Sequence, residues 1–149
     1  MAAELFNESI AVYGANCAGF AERALAEEPT ARAAMARTLR EVAVEYTKSG
    51  QPGGCMVISA GLNTTNTEVA AAQEQMRTAN ADAFAARIRT DIDAGLLPTD
   101  TDAAVLARYI GTIMQGMSQG ARDGARRSEL QQVAELALRT WPEDTPLDR

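Results

Sequence analysis

Alanine fills about a fifth of this chain, and aromatic residues only 5% of it. Alanine is the best helix former, whereas strands draw on β-branched and aromatic side chains. No segment sustains an apolar/polar alternation, so the period-2 pattern of a half-buried strand is missing and the chain reads as all-α. Its 149 residues fit one domain with a real core.

The helical periodicity resolves into about six helices. The first runs from about Ala3 to Ala26, with Phe6, Ile10, Tyr13, Cys17, Phe20 and Ala24 on one face and a bend or early end near Gly14 or Gly19. Pro29 suits the start of a second helix, Thr30 to Thr47, whose stripe is Met35, Leu39, Val42 and Tyr46. Lys48 to Gly54 is a loop, and Cys55 to Leu62 is a short helix, apolar on all sides and therefore expected to be buried. A strand is the rival reading there, because Val57 and Ile58 are β-branched, but it would have no partner. Asn63 to Asn66 offers caps for a fourth helix from Thr67 to Ala94, its inner side marked by Val69, Met76, Ala83, Phe84, Ile88 and Ile92. Gly95 and Pro98 stop it, and Thr99 to Asp102 caps a fifth helix that runs to Asp123. Ser128 with Gln131 has the spacing of a capping box for a last helix reaching Trp141. Residues 1–142 are thus read as one domain and 143–149 as a flexible tail.

The chain has no histidine, which removes Ser-His triads, imidazole bases and most zinc or di-iron sites. The carboxylate pairs Glu41/Glu45 and Asp91/Asp93 lack such companions, and Gly50 to Gly54 lacks the lysine and spacing of a phosphate loop. No metal, no cofactor and no enzymatic activity are expected. A net charge of −6 argues against this chain alone coating nucleic acid, and Arg122, Arg126 and Arg127 are diluted by Asp123 and Glu129 into a solvated turn. The start carries Glu4 and Glu8 and no basic region, so it does not read as a signal peptide, and no apolar run is long enough for a membrane. A cytoplasmic protein is expected, in which Cys17 and Cys55 stay reduced. Cys55 at a helix start could be a reactive thiol, but no basic neighbour supports it.

The last two helices carry the sharpest signal. In the fifth, Leu106, Tyr109, Ile110, Ile113, Met117 and Ala121 form a large-residue stripe, and Thr112, Gly116, Gln119, Gly120 and Asp123 form a second, small or polar one. Each glycine inside a helix costs ~1 kcal/mol relative to alanine. Close approach of another helix would repay that cost. The last helix adds Leu130, Val133, Ala134, Ala137, Leu138 and Trp141, with Leu136 off the stripe. The expectation is a homodimer built as a four-helix bundle from two copies of this pair, through Thr112, Gly116, Gln119, Gly120, Asp123, Leu130, Val133, Ala134, Ala137, Leu138 and Trp141.

Several segments, in this order, resemble the TetR-type transcriptional regulators: Pro52 to Val57, Gly95 to Asp102 followed by Ala107 to Ile110, Gln115 to Ala125, and Val133 to Arg139. Glu4-Leu5-Phe6 with Tyr13 resembles the helix after the DNA-binding head of that family. The resemblance covers essentially the whole chain. It implies the effector-binding and dimerisation domain of such a regulator. The family's N-terminal helix-turn-helix head, which enters the major groove, is expected to be absent from these residues, which carry no Lys or Arg before Arg23, and DNA would be a partner only through that head.

The resemblance also implies an internal cavity for a small, mostly apolar effector. The inner stripes supply the candidates Phe20, Tyr46, Met56, Ser59, Met76, Phe84, Tyr109, Ile113 and Met117, with Cys17, Asn63 and Asn80 as polar options. A stand-alone small-molecule-binding or heterodimerising module without DNA binding is the alternative reading.

Overall fold

The computed structural model describes residues 4–5, 7–9, 19–60 and 64–143. Six helices follow one another: α1 (Phe20–Glu27), α2 (Ala31–Glu45), α3 (Met56–Ala60), α4 (Thr67–Asp93), α5 (Ala103–Arg122) and α6 (Arg127–Leu138). Residues 4–5 and 7–9 are also helical, and no strand occurs among the described residues. The fold is therefore all-helical, and no described helix is long and apolar enough to cross a membrane.

The helix starts follow from short polar side chains placed to accept orphan backbone N–H groups. Thr30 Oγ1 accepts from Ala33 N–H (3.1 Å), Asn66 Oδ1 from Glu68 (3.0 Å) and Val69 (3.2 Å), and Asp102 Oδ1 from Val105 (3.0 Å). The expected cap at Ser128 is corrected. The last helix starts at Arg127, and Glu129 reaches back to accept the Arg126 N–H at 2.7 Å. This helix ends at Leu138, a turn short of Trp141. The expected break near Gly19 is present: residues 4–5 and 7–9 are helical, and a helix opens at Phe20 with Gly19 in its cap position. Cys55 to Leu62 is corrected too. Its described helix is Met56–Ala60, with residues 61–62 outside the described residues, and Val57, Ile58 and Ser59 are half-buried rather than enclosed, with α3 resting chiefly on α5.

One core joins the helices. α2 is its centre, with Met35, Leu39 and Val42 wholly buried, and it packs against α1 on one side and α6 on the other. α4 and α5 pack on each other and close the core with Phe84, Ile88, Ile110 and Met117. Burying a large apolar side chain contributes roughly 1.5–3 kcal/mol, so this cluster is the main source of stability.

Candidate functional site

Two surfaces and one joint stand out. The joint is the turn before α3. Gly54 has φ +87°, and a Cβ there would stand 2.6 Å from the Ser118 carbonyl oxygen. A Cβ on Gly53 would stand 2.6 Å from the carbonyl oxygen of Ala121. The turn therefore lies directly on the α5 backbone, where no side chain fits. Two hydrogen bonds hold it: Gly54 N–H donates to the Tyr46 carbonyl (3.0 Å) and Cys55 N–H to Ser118 Oγ (2.8 Å). The Gly-Gly-Cys segment is thus a packing device. Ser118, fully buried, is its acceptor and carries no signal in the sequence.

The first surface is the outer side of α5 and α6. Gly120 approaches Leu130, and the hydroxyls of Tyr109 and Thr140 lie 3.2 Å apart. Apart from its chain neighbours and the surrounding backbone of its own helix, no atom of the described residues lies within 4 Å of where a Gly116 Cβ would be. Gly116 is exposed there, on the outer side of α5. Thr112, Gln119 and Asp123 are exposed along it, with Val133 and Leu136 showing 39% and 58% of their surface. The rest of the expected interface is corrected: Leu130, Ala134, Ala137, Leu138 and Trp141 are buried within this chain, because α6 spends that stripe on its own core. Leu136, which lies off the stripe in the sequence, is exposed, as is Val133.

The second surface is the inward stripe of α4. Among the described residues, the expected effector contacts that line clefts line different ones. Phe20, Tyr46, Phe84 and Met117 are core residues, and Tyr109 and Ile113 pack half-buried against them. Ser59 is half-buried on α3. Cys17 and Asn63, and the side chain of Met56, lie outside the described residues. Met76 and Asn80 are corrected from inner to exposed. They lie at the edge of the stripe through Gln73 and Phe84, and half-buried Arg77 and Ala81 continue the inner side of α4 between those two residues. Three of the twelve border separate clefts. Phe20 lines one of about 590 Å³ with Arg23, Arg40 and Glu135, Tyr46 one of about 510 Å³ beside Lys48 and Arg127, and Tyr109 one of about 410 Å³ beside Val105.

Ion pairs rim the first cleft. Arg40 donates twice to Glu135 (2.7 and 3.1 Å), which holds that carboxyl below the ordinary glutamate value and raises the guanidinium. Arg37 is raised further, by hydrogen bonds to Glu27, Glu41 and Glu28. Gln73 is fully buried, and neither of its amide atoms is hydrogen-bonded among the described residues. It is a further residue that sequence reasoning misses.

An all-helical chain with one amphipathic helix pair left open on its outer side has the architecture of a helical regulator. No family model matches the chain. A structure of a double cysteine mutant of the TetR family transcriptional regulator CifR, complexed with 26-bp double-strand operator DNA, is 35% identical, with a TM-score of 0.85. The match covers 93% of this chain and 73% of that one. A triple cysteine mutant of CifR on the same length of operator gives 34% identity and a TM-score of 0.85. The HTH-type transcriptional repressor ComR of Escherichia coli (strain K12) is 30% identical over 122 residues, 78% of this chain. The chain spans 57% of the length of ComR, little more than half. The chain belongs to the TetR family of transcriptional regulators.

Proposed function

We propose that these residues are the ligand-sensing and dimerisation part of a TetR-type regulator. They bind a small, mostly apolar effector and pair with a second copy through the outer face of α5 and α6. Operator DNA is contacted by a helix-turn-helix N-terminal to them. The observation that supports this best is the exposed Gly116 on the outer side of α5, on a chain matched over 93% of its length by a regulator complexed with operator. A solvent-facing glycine inside a helix costs ~1 kcal/mol, and a closely approaching helix of a second copy gives that cost a purpose. Effector control then requires the ligand to bind one arrangement of the dimer more tightly than the other.

The test is a chimera in which the DNA-binding head of CifR is fused to the N-terminus of this chain. The chimera should retard the 26-bp operator in a gel at concentrations where the isolated head does not. A thermal-shift screen of apolar metabolites should raise the melting temperature, since a ligand that binds only the folded state stabilises it. A chimera no better than the isolated head argues for a stand-alone module.

A further inference from the structure

The two ends of the helix bundle differ in charge. Gly19 and Phe20 share a cleft with Val44 and Glu45, and Glu27 pairs with Arg37, so α1 runs antiparallel to α2. α5 ends and α6 begins beside the C-terminal end of α2, where the Arg127 Nε–H donates to Thr47 Oγ1 at 3.3 Å. The corner at which the α2–α3 loop meets the α5–α6 turn holds Lys48, Arg122, Arg126 and Arg127 against Glu45, Asp123 and Glu129. At the opposite end, the α1–α2 and α4–α5 connections carry Glu28, Asp100 and Asp102 and neither lysine nor arginine.

Two cations of that corner have no ion-pair partner. Lys48 pairs with Glu45 at 2.6 Å and Arg126 with Glu129 at 3.3 Å, while Asp123 accepts from the Gln119 amide at 3.0 Å. Arg122 and Arg127 are exposed and have no carboxylate partner among the described residues. Their side chains are nonetheless held. Arg127 is tied to Thr47, and Arg122 passes so close to Gly54 that a Cβ there would stand 3.1 Å from its Cγ. In a chain of net charge −6, two anchored guanidinium groups side by side make a local attraction for an anion. Direction is the second observation. Gly19, through which the N-terminal residues join α1, lies at this end of the bundle and not at the acidic one.

We infer that this corner is a second contact surface for operator DNA, with Arg122 and Arg127 drawn to the phosphate backbone beside the contacts made by the head. This rests on the regulator reading above, in which the head is N-terminal and the operator therefore lies beyond the end that carries Gly19. Guanidinium groups suit phosphate oxygens, and such contacts hold the duplex without reading its sequence. Each phosphate neutralised releases counterions, which steepens the fall of log K with log salt by about 0.9. The acidic remainder of the domain repels DNA, so the position of the corner sets which end the duplex approaches.

The test measures binding of the CifR-head chimera to the 26-bp operator and to a scrambled duplex of the same length, across a series of salt concentrations. The double variant Arg122→Gln/Arg127→Gln should bind both duplexes more weakly to the same degree, by about fivefold or more near 50 mM salt, with a salt slope lower by about 1–2. Arg122→Lys/Arg127→Lys, which keeps the charge, should keep the slope. Arg32→Gln/Arg89→Gln removes the same charge from exposed positions at the opposite end and should stay within about twofold of the parent. An unchanged slope in the first variant, an equal loss in the opposite-end variant, or a loss confined to the operator duplex would overturn the assignment. If the double variant does not fold, Arg127→Gln alone carries the test, with a slope lower by about 1 expected and an unchanged slope contradicting it. A parent chimera that binds no better than the isolated head overturns the regulator reading as well. A parent that binds tightly, with variants of unchanged slope, overturns the contact surface alone.

Discussion

The Asp91 carboxylate accepts the backbone N–H of Ala31 at 2.6 Å, across sixty residues of chain. Ala31 opens α2, so a buried carboxylate on α4 caps the helix at the centre of the core. Its negative charge also faces the positive end of the α2 dipole. Arg87, one turn back on α4, sits 3.6 Å from Asp91 and donates to the Glu28 carbonyl at 3.0 Å. The two side chains together tie α4 to the α1–α2 junction.

Replacing Asp91 by alanine removes this cap and leaves a buried N–H unpaired. The expected loss is about 2 kcal/mol, or roughly 4–8 °C in melting temperature for a chain of this size. Asp93→Ala, at an exposed position two residues on, should change stability by no more than about 0.5 kcal/mol. Thermal unfolding of the two variants side by side makes the comparison. Equal melting temperatures would show that the Ala31 contact contributes nothing.

Much of the frame is legible in the amino-acid order alone. Thr30, Asn66 and Asp102 start helices because their short acceptors sit just before apolar periodicity begins, which is local chemistry. The start of α6 escapes that reasoning because Arg126 is no typical cap, and its N–H is satisfied by Glu129 from inside the helix. Periodicity places Met76 and Asn80 on the inner side of α4, whereas the structure has both exposed and Arg77 and Ala81 half-buried in their place. That pattern does not say whether another helix covers them, since cover is a property of other parts of the chain. Gln73 and Asp91 are invisible for the same reason. One matters through a buried amide without partners among the described residues, and the other through a contact sixty residues away.

The glycines divide into two kinds with opposite expected responses. Gly54→Ala puts a Cβ into the Ser118 carbonyl at a positive φ, at a cost of about 2–3 kcal/mol. Gly116→Ala meets open space within the described chain and gains up to ~1 kcal/mol of helix propensity. Denaturant melts at concentrations low enough to favour the monomer should therefore show the first destabilised and the second not. Similar losses in both would mean that the α5 glycines are needed inside the protomer.

Acid should release the α2–α6 tie. Arg40 holds the Glu135 carboxyl below its ordinary value, so its stabilising effect is fully present above the unfolded-state pKa of ~4.3. That effect fades as the pH falls through the lower, folded-state value. The melting temperature of Glu135→Gln should lie slightly below that of the parent at neutral pH and meet it on acidification. A gap that does not change with pH would place the effect in packing instead.

Sedimentation equilibrium of the 149-residue chain at micromolar concentration reads the central claim, pairing through the outer face of α5 and α6, most directly. The expected species has twice the 15.8 kDa chain mass. Gly116→Leu, which puts a large side chain on that exposed face without touching the core, should weaken that association at least tenfold while the helical spectrum is unchanged. A parent chain that sediments as a monomer, or a Gly116→Leu dimer as tight as the parent's, would contradict it.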